Sequence, residues 1–227
     1  MKKLIISLIL IFSFHSGFSQ HIADETKLKK RISLSLGMGI SLINTPEFSE
    51  YLKNEIPYSD KDSIKAFSIG LEFFGGLEYP VSKSFSIKLD YSYFIKSITY
   101  RYSFFTYDFF YFIHQPYMMG FYVTGGKHYR FKIGAGAGYQ FAQLERTLDP
   151  NTEMVYKSNG PGVRGEIIYD AILSKRLSSY ISGFVFGNFP GKLKDSGGNV
   201  LISPNTGKEV NLSGFGIGLR LGLTYNF

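Results

Sequence analysis

The chain is 227 residues long, carries 25 lysines and arginines against 18 acidic residues, and has a net charge of +7 at pH 7. It contains no cysteine, which excludes disulfide bonds, thiolate zinc sites and a lipid anchor on a cysteine. Its 25 glycines, 22 phenylalanines and 17 tyrosines favour β-structure with tight turns over helix.

The N-terminus has the three parts of a secretory signal peptide. Lys2 and Lys3 precede an apolar run over residues 4–14, and Gly17 and Ser19 follow at small-x-small spacing. This pattern predicts cleavage after Ser19, since so short an apolar run cannot cross about 30 Å of hydrocarbon. Because the protein is then exported, its positive charge does not point to nucleic acid, and we expect no such partner.

The remaining chain shows repeated two-residue alternation. In residues 31–42 the even positions, from Ile32 to Leu42, are apolar, and the odd positions carry arginine, serine or glycine. Such alternation is typical of strands with one apolar face. It recurs in 67–79, 85–96, 129–141, 163–173 and 214–227, and less cleanly in 116–124 and 178–189. The sequence therefore predicts eight strands.

Connection lengths and face chemistry favour a membrane barrel over a soluble sandwich. The apolar faces run without charge over about 10 residues, the length that a tilted strand needs to cross a membrane. The opposite faces are too polar for a sandwich core but suit a lumen. The predicted connections alternate between short (80–84, 125–128, 174–178) and long (43–63, 97–115, 143–160, 190–209). We predict an all-β fold, an eight-stranded antiparallel up-and-down transmembrane β-barrel with short periplasmic turns and long extracellular loops.

The C-terminus carries the clearest family signal. A polar residue, a glycine two positions later and aromatic residues at the antepenultimate and last positions match at Arg220, Gly222, Tyr225 and Phe227. Together with the eight alternating segments, this motif makes the chain after the signal peptide resemble the small eight-stranded outer-membrane β-barrel proteins of Gram-negative bacteria. These include porin-like barrels and barrels like OmpX and the OmpA transmembrane domain. The resemblance implies localisation in the cell outer membrane and reading of this tail by the barrel assembly machinery.

The predicted domain organisation follows from these elements. It comprises a cleaved signal peptide (1–19), a short N-terminal periplasmic segment (20–30) and the outer-membrane barrel (31–227).

Inward positions of the predicted strands carry five acids and six bases. They are Glu72, Glu78, Asp90, Glu166 and Asp170, with Lys88, Lys96, Arg130, Lys132, Arg164 and Arg220. An eight-stranded barrel is just wide enough for side chains to fill it, and a buried unpaired charge is costly. We predict a lumen ion-pair network that plugs the barrel. Glycines on the lumen side of the first, fifth and eighth strands leave spare room, so a narrow porin-like channel is the alternative.

Residues 100–112, YRYSFFTYDFFYF, are unusually aromatic. Pairing Ile95 with Met119 in a hairpin keeps outward residues opposite outward residues. The face of this hairpin that continues the lumen side then forms a candidate aromatic contact surface of Tyr100, Tyr102, Phe104, Phe110, Phe112 and His114. The alternative interpretation is a self-packed hairpin with an aromatic belt at the outer interface.

Signals for catalysis are weak. A pairing of His114 with Ser103 lacks a second matching element, and the aspartates of SDKDS (59–63) lack the further ligands of a calcium loop. We expect no enzymatic activity, no metal and no cofactor.

Two classes of function remain. One is a non-enzymatic structural, adhesion or ligand-contact role through the extracellular loops. The other is an accessory subunit of a secretion or transport assembly, and a lipid-modifying enzyme is a distant third. The expected partners are outer-membrane lipid, lipopolysaccharide, the assembly machinery and an extracellular or envelope protein.

Overall fold

The computed structural model describes residues 32–55, 69–102, 105–147, 153–204 and 206–227. Its strands are β1 (Ser33–Asn44), β2 (Ile69–Pro80), β3 (Phe85–Tyr102), β4 (Phe105–Gly125), β5 (Tyr129–Thr147), β6 (Glu153–Ile172), β7 (Leu177–Asn188) and β8 (Gly214–Asn226). One helix within these ranges, α1 (Pro46–Glu55), follows β1. The predicted signal peptide (1–19) and N-terminal segment (20–30) lie outside the described residues.

The eight strands form a closed barrel in sequence order. Each strand is antiparallel to its neighbours, and β1 pairs with both β2 and β8. The seam reaches the last residue, because the Phe227 N–H donates to the Ile32 carbonyl at 3.1 Å. Closure leaves no unpaired edge for hydrocarbon to meet. The predicted fold class is confirmed.

The outward-facing side chains of the barrel form an apolar belt. On β8, Phe215, Leu219 and Leu221 are 66%, 68% and 60% exposed, whereas Arg220 between them is fully buried. Aromatic side chains lie near the short turns at the inner end: Tyr79, Phe85, Tyr129, Tyr225 and Phe227. So large an exposed apolar surface is stable only against lipid. The predicted outward faces of β1, β2, β3, β5, β6 and β8 are therefore correct.

The strands differ in length on the two sides of the barrel. β3 to β6 have 18 to 21 residues, and β1, β2, β7 and β8 have 12 or 13. Since a tilted strand crosses the membrane in about 9–11 residues, β3 to β6 continue beyond it as an outer wall. Most of the long loops predicted at 97–115 and 143–160 is therefore strand, which is a correction.

The register of β3 and β4 also differs from the prediction. Ile95 pairs with Phe112, not with Met119, so β4 is shifted by 119 − 112 = 7 residues. An odd shift reverses the two faces of a strand. Odd-numbered β4 residues face inward, and three members of the predicted contact surface on β4 face outward: Phe110, Phe112 and His114.

Helix α1 was not predicted, although its local signals are present. Thr45 precedes Pro46, and the Ser49 N–H donates to the Thr45 carbonyl at 2.9 Å, as expected for a helix with proline at its first position. Phe48, Tyr51 and Leu52 share one face and are almost fully buried. No helix among the described residues is both long and apolar enough to cross a membrane.

Helix α1 and the segment between β7 and β8 fill the outer mouth of the barrel. In residues 189–213, the Leu193 N–H donates to the Val210 carbonyl, and Val210 in turn donates to Leu201. The apolar side chains of this segment point into the same core as α1: Leu193, Leu201, Val210 and Leu212. We call α1 together with the described residues of this segment, 189–204 and 206–213, the outer cap. It packs against inward side chains of the outer wall.

Candidate functional site

A buried cluster of three acids and three bases occupies the middle of the barrel. Its members are Glu72, Asp90, Glu166, Lys88, Arg164 and Arg220, all at most 2% exposed. Arg220 lies at its centre, with its guanidinium 2.6 Å from Glu72, 3.0 Å from Asp90 and 3.5 Å from Glu166. We call these six residues the central cluster. With equal numbers of acids and bases, it is neutral when every group is ionised.

The remaining contacts of the central cluster are shared by the other cations and by polar side chains. Arg164 bridges Asp90 at 3.0 Å and Glu72 at 3.4 Å, and the Lys88 ammonium lies 2.8 Å from Asp90. The Glu166 carboxylate accepts hydrogen bonds from Tyr180 and Ser182, each 2.6 Å long. Because a buried charge is tolerated when it is paired and hydrogen-bonded, this arrangement stabilises the ionised cluster.

Aromatic rings enclose the guanidinium groups. The Arg220 guanidinium lies 4.7 Å from the centre of the Phe74 ring and 4.8 Å from that of Phe184. Arg164 lies 4.4 Å from the Tyr117 ring. These cation–π contacts fill the space beside the ion pairs. The aromatic groups were not part of the predicted network, because their role depends on register across strands.

A second ion-pair group lies nearer the inner end of the barrel. Lys132 bridges Glu78 at 2.6 Å and Asp170 at 3.0 Å, and Arg130 lies 3.6 Å from Asp170. The Arg130 side chain is 32% exposed, so this group reaches the inner opening. Ten of the eleven predicted network residues thus belong to one of two groups.

The eleventh residue, Lys96, lies higher, against the outer cap. Its ammonium is 4.8 Å from the centre of the Tyr111 ring and 6.0 Å from that of Phe48. Nearby, an Arg146 guanidinium nitrogen donates to the Tyr51 hydroxyl at 2.5 Å. Lys96 therefore helps to seat α1 and is not part of the central cluster.

Large side chains fill the space beside several lumen-side glycines. A Cβ on Gly37 would approach the Phe74 ring to 2.8 Å, and one on Gly136 would approach the Met119 sulfur to 2.6 Å. A Cβ on Gly218 would clash with the Phe184 ring. The space beside these glycines is therefore occupied by large side chains from neighbouring strands, contrary to the expectation of spare room.

The described β4 members of the predicted aromatic contact surface, Phe110, Phe112 and His114, lie on the outward face of β4. Phe110 is 47% exposed on the outside of the outer wall, and its cross-strand partners are Ser97 and Glu145. His114 also faces outward, where it hydrogen-bonds to the Tyr91 hydroxyl at 2.6 Å. Tyr100 and Tyr102 pair with β4 through the backbone, and Phe104 and Ser103 lie outside the described residues.

The C-terminal residues divide between the interior and the membrane interface. Arg220 belongs to the central cluster, and Gly222 also faces inward. Tyr225 and Phe227 face outward at the inner end, with ring centres 5.3 Å apart. The sequence motif therefore combines one lumen charge with two interfacial aromatics.

The two described histidines lie far apart. His128 lies in the turn between β4 and β5, while His114 lies near the middle of β4, on its outward face. Among the described residues, no group of three or more histidine, cysteine or acidic side chains could hold a metal ion. The aspartates of SDKDS (59–63) fall outside the described residues.

Comparison with solved structures places the architecture among outer-membrane barrels. A major outer membrane protein from Thermus thermophilus has a TM-score of 0.52 and 15% identity, over 86% of this chain and 99% of that chain. Neisserial surface protein A gives 0.51 and 9% identity, over 86% and 97% of the two chains. OprG from Pseudomonas aeruginosa gives 0.51 and 12%, over 87% and 96%.

At these identities, the likeness concerns the fold alone. No family model and no curated protein matches the sequence. The predicted resemblance to small eight-stranded outer-membrane barrels is confirmed at the level of architecture. Together with the apolar belt, this fold identifies an integral β-barrel of the cell outer membrane.

Proposed function

We propose that this outer-membrane β-barrel is a non-conducting, non-enzymatic surface protein that makes structural, adhesive or ligand contacts through its outer wall and outer cap. The observation that carries the proposal is the closed outer mouth. Among the described residues, seventeen buried side chains from α1, the segment between β7 and β8 and the surrounding strands form one apolar core there. Apolar packing at native density excludes water.

Two further layers support a closed lumen. Below the outer cap lies the central cluster, whose acidic and basic groups form ion pairs with one another. Around and beneath it, Phe74, Tyr117, Met119, Phe121, Ile168 and Tyr180 form a second buried apolar group. An ion that entered would have to separate buried ion pairs and then cross this group, and both steps are costly.

The outer wall supplies the contact surface. Phe110 exposes about half of its side chain beside polar neighbours, which places it above the apolar belt. Phe112 adjoins it on the same outward face. Aromatic side chains are enriched where proteins bind partners, so we assign the contact to this outward face rather than to a lumen-side face.

Conductance measurements test the closed lumen. Refolded protein inserted into planar lipid bilayers should give no stepwise current, because the outer cap and the central cluster block the lumen at two levels. A Phe48→Asp variant, which weakens the packing of α1, should also give no stepwise current, because the central cluster below α1 still blocks the lumen. Long-lived, evenly sized steps from the wild-type protein would contradict the proposal, and insertion is checked with a large porin in the same membranes.

Adherence measurements test the contact surface. Cells that display the Phe110→Ser/Phe112→Ser variant should lose at least tenfold in attachment to polysaccharide- or protein-coated surfaces that hold wild-type cells. The matched control is Ser97→Ala/Thr99→Ala on the same outward face of β3. Equal attachment of both variants and wild type, at equal surface levels, would show that these aromatic side chains are structural.

We further infer that the tail contacts the barrel assembly machinery during insertion. Tyr225 and Phe227 lie outward and exposed at the inner end of β8, where a periplasmic receptor can reach them. Lipid and lipopolysaccharide remain the proposed surroundings of the belt.

A further inference from the structure

A wide groove crosses the lipid-facing surface of the barrel, from β5 over β6, β7 and β8 to β1. Its volume is about 1170 Å³. Its floor is shaped by small or short outward side chains on adjacent strands, including Ala135, Ala137, Val163, Gly165, Val185 and Ile217. The surface of the groove is almost entirely apolar. Since this wall faces hydrocarbon, the groove is suited to acyl chains.

The groove lies in the outer half of the membrane. On the outward face of β5, Tyr129 marks the inner interface and Tyr139 the outer interface, so Ala135 and Ala137 fall slightly outward of the midpoint between these two tyrosines. Along β6, Val163 lies 163 − 157 = 6 positions after Lys157, about 20 Å of strand. A strand tilt of about 35–45° reduces this distance to about 15 Å of depth, which is half of the hydrocarbon thickness.

Two lysines lie side by side above the groove. The backbones of Lys157 and Lys194 exchange hydrogen bonds of 2.8 and 2.9 Å. Residues paired in this way extend their side chains on the same face of the sheet, and both lysines are exposed. Two adjacent like charges repel each other. An anion that contacted both ammonium groups would therefore stabilise the pair.

The acidic residues near Lys157 and Lys194 form their contacts with other residues. Glu209 pairs with Lys192 at 2.5 Å, and Glu145 accepts a hydrogen bond from Gln143 at 3.0 Å. Asp195 accepts from the side chain and backbone of Asn199, at 3.0 and 2.8 Å, and these bonds lower the pKa of its carboxyl group. Within the described part of the chain, neither Lys157 nor Lys194 lies within ion-pair distance of a carboxylate.

Interfacial side chains connect the two features. Tyr139 and Phe141 pack beside each other with ring centres 5.3 Å apart, and the Tyr139 hydroxyl donates to Asn159 at 2.9 Å. Asn159 lies between Lys157 and Val163 on the same face of β6. Aromatic rings with a polar contact mark the level of lipid headgroups. From outside inward, the wall thus presents cations, an aromatic band and an apolar groove.

We propose that this part of the wall binds one phosphorylated lipid of the outer leaflet, with phosphate on Lys157 and Lys194 and acyl chains in the groove. The order of chemical groups along β6 is that of such a lipid. Charge complementarity selects the occupant, because a second copy of this barrel would bring its own Lys157 and Lys194 to a symmetric contact.

Native mass spectrometry of the refolded protein in detergent tests the site, with diphosphorylated lipid A and its dephosphorylated form as probes. Wild-type protein should retain one lipid A and hold the dephosphorylated form far more weakly. Lys157→Gln/Lys194→Gln should weaken lipid A binding roughly thirtyfold, as expected for two lysines near an anionic group. Gly165→Leu should weaken both probes, because its side chain fills the groove.

Control variants separate these effects from misfolding. A Cβ at Gly165 meets only ordinary contacts, 3.5 Å from Val185 and 4.0 Å from the Gly134 carbonyl, so the leucine is compatible with the fold. Lys83→Gln/Lys175→Gln makes the same charge change at exposed inner turns and should leave lipid A binding unaltered. Unchanged binding in the Lys157/Lys194 variant would overturn the proposal, as would protein dimers that disappear with Gly165→Leu.

Discussion

Replacing Arg220 by methionine should destabilise the barrel by about 3–5 kcal/mol, the typical effect of removing one partner from a buried ion-pair group. The guanidinium lies within 3.5 Å of three carboxylates, those of Glu72, Asp90 and Glu166. Without it, the central cluster holds three acids against two bases. The remaining bases cannot satisfy the extra carboxylate, which must be buried unpaired or become protonated.

The free energy of unfolding is measured by urea titration of the protein in lipid vesicles, with folded protein counted as the faster-migrating band on unheated gels. Arg130→Gln is the matched control, because this partly exposed arginine lies 3.6 Å from Asp170 and should cost less than about 1 kcal/mol. Arg220→Met/Glu72→Gln should recover part of the loss. Equal stability of the Arg220 and Arg130 variants would mean that the central cluster contributes little.

Leu221→Arg should block membrane assembly. Leu221 is 60% exposed on the lipid face, midway along β8 between Phe215 and Tyr225. An arginine at the bilayer midplane costs about 2–4 kcal/mol, and near an interface about 0–1 kcal/mol. Thr124→Arg, outward at the inner end of β4, should therefore be tolerated.

The readout is the fraction of each variant that reaches the heat-shifting folded band after refolding into vesicles, together with its level in outer-membrane fractions. Similar folded fractions for Leu221→Arg and Thr124→Arg would show that Leu221 does not face the membrane midplane.

Strand faces were predictable where the chemical contrast between alternating residues is large. In β8, glycine and arginine alternate with leucine and phenylalanine, so the alternation alone assigns the lumen side. The β4 segment Phe109 to His114 offers no such contrast, because it is apolar or aromatic at both parities. Its faces are instead decided by pairing with β3, and β4 was placed seven residues out of register.

The central cluster was predictable as a set of inward charges, but its partners were not. Arg220 and Glu72 are 148 residues apart in the chain, and their contact depends on the closure of β1 between β8 and β2. The outer cap was missed for a related reason. Phe48, Tyr51 and Leu52 have helical spacing, but their burial requires residues 189–213 from the opposite end of the chain.

The position of Arg220 also couples the order of assembly to charge. Its strand, β8, is the last of the eight barrel strands, and until that strand docks, Glu72, Asp90 and Glu166 have only Lys88 and Arg164 as cationic partners. The central cluster by itself then carries one excess negative charge, which Arg220 neutralises when the final strand joins β7 to β1. Strand pairing at the seam and neutralisation of the central cluster therefore occur together. A barrel with an open seam has both unpaired strand edges and an uncompensated buried carboxylate, so partial closure gains little. The same arginine that matches the assembly motif in the sequence thus holds β8 to the carboxylates of β2, β3 and β6 in the closed barrel.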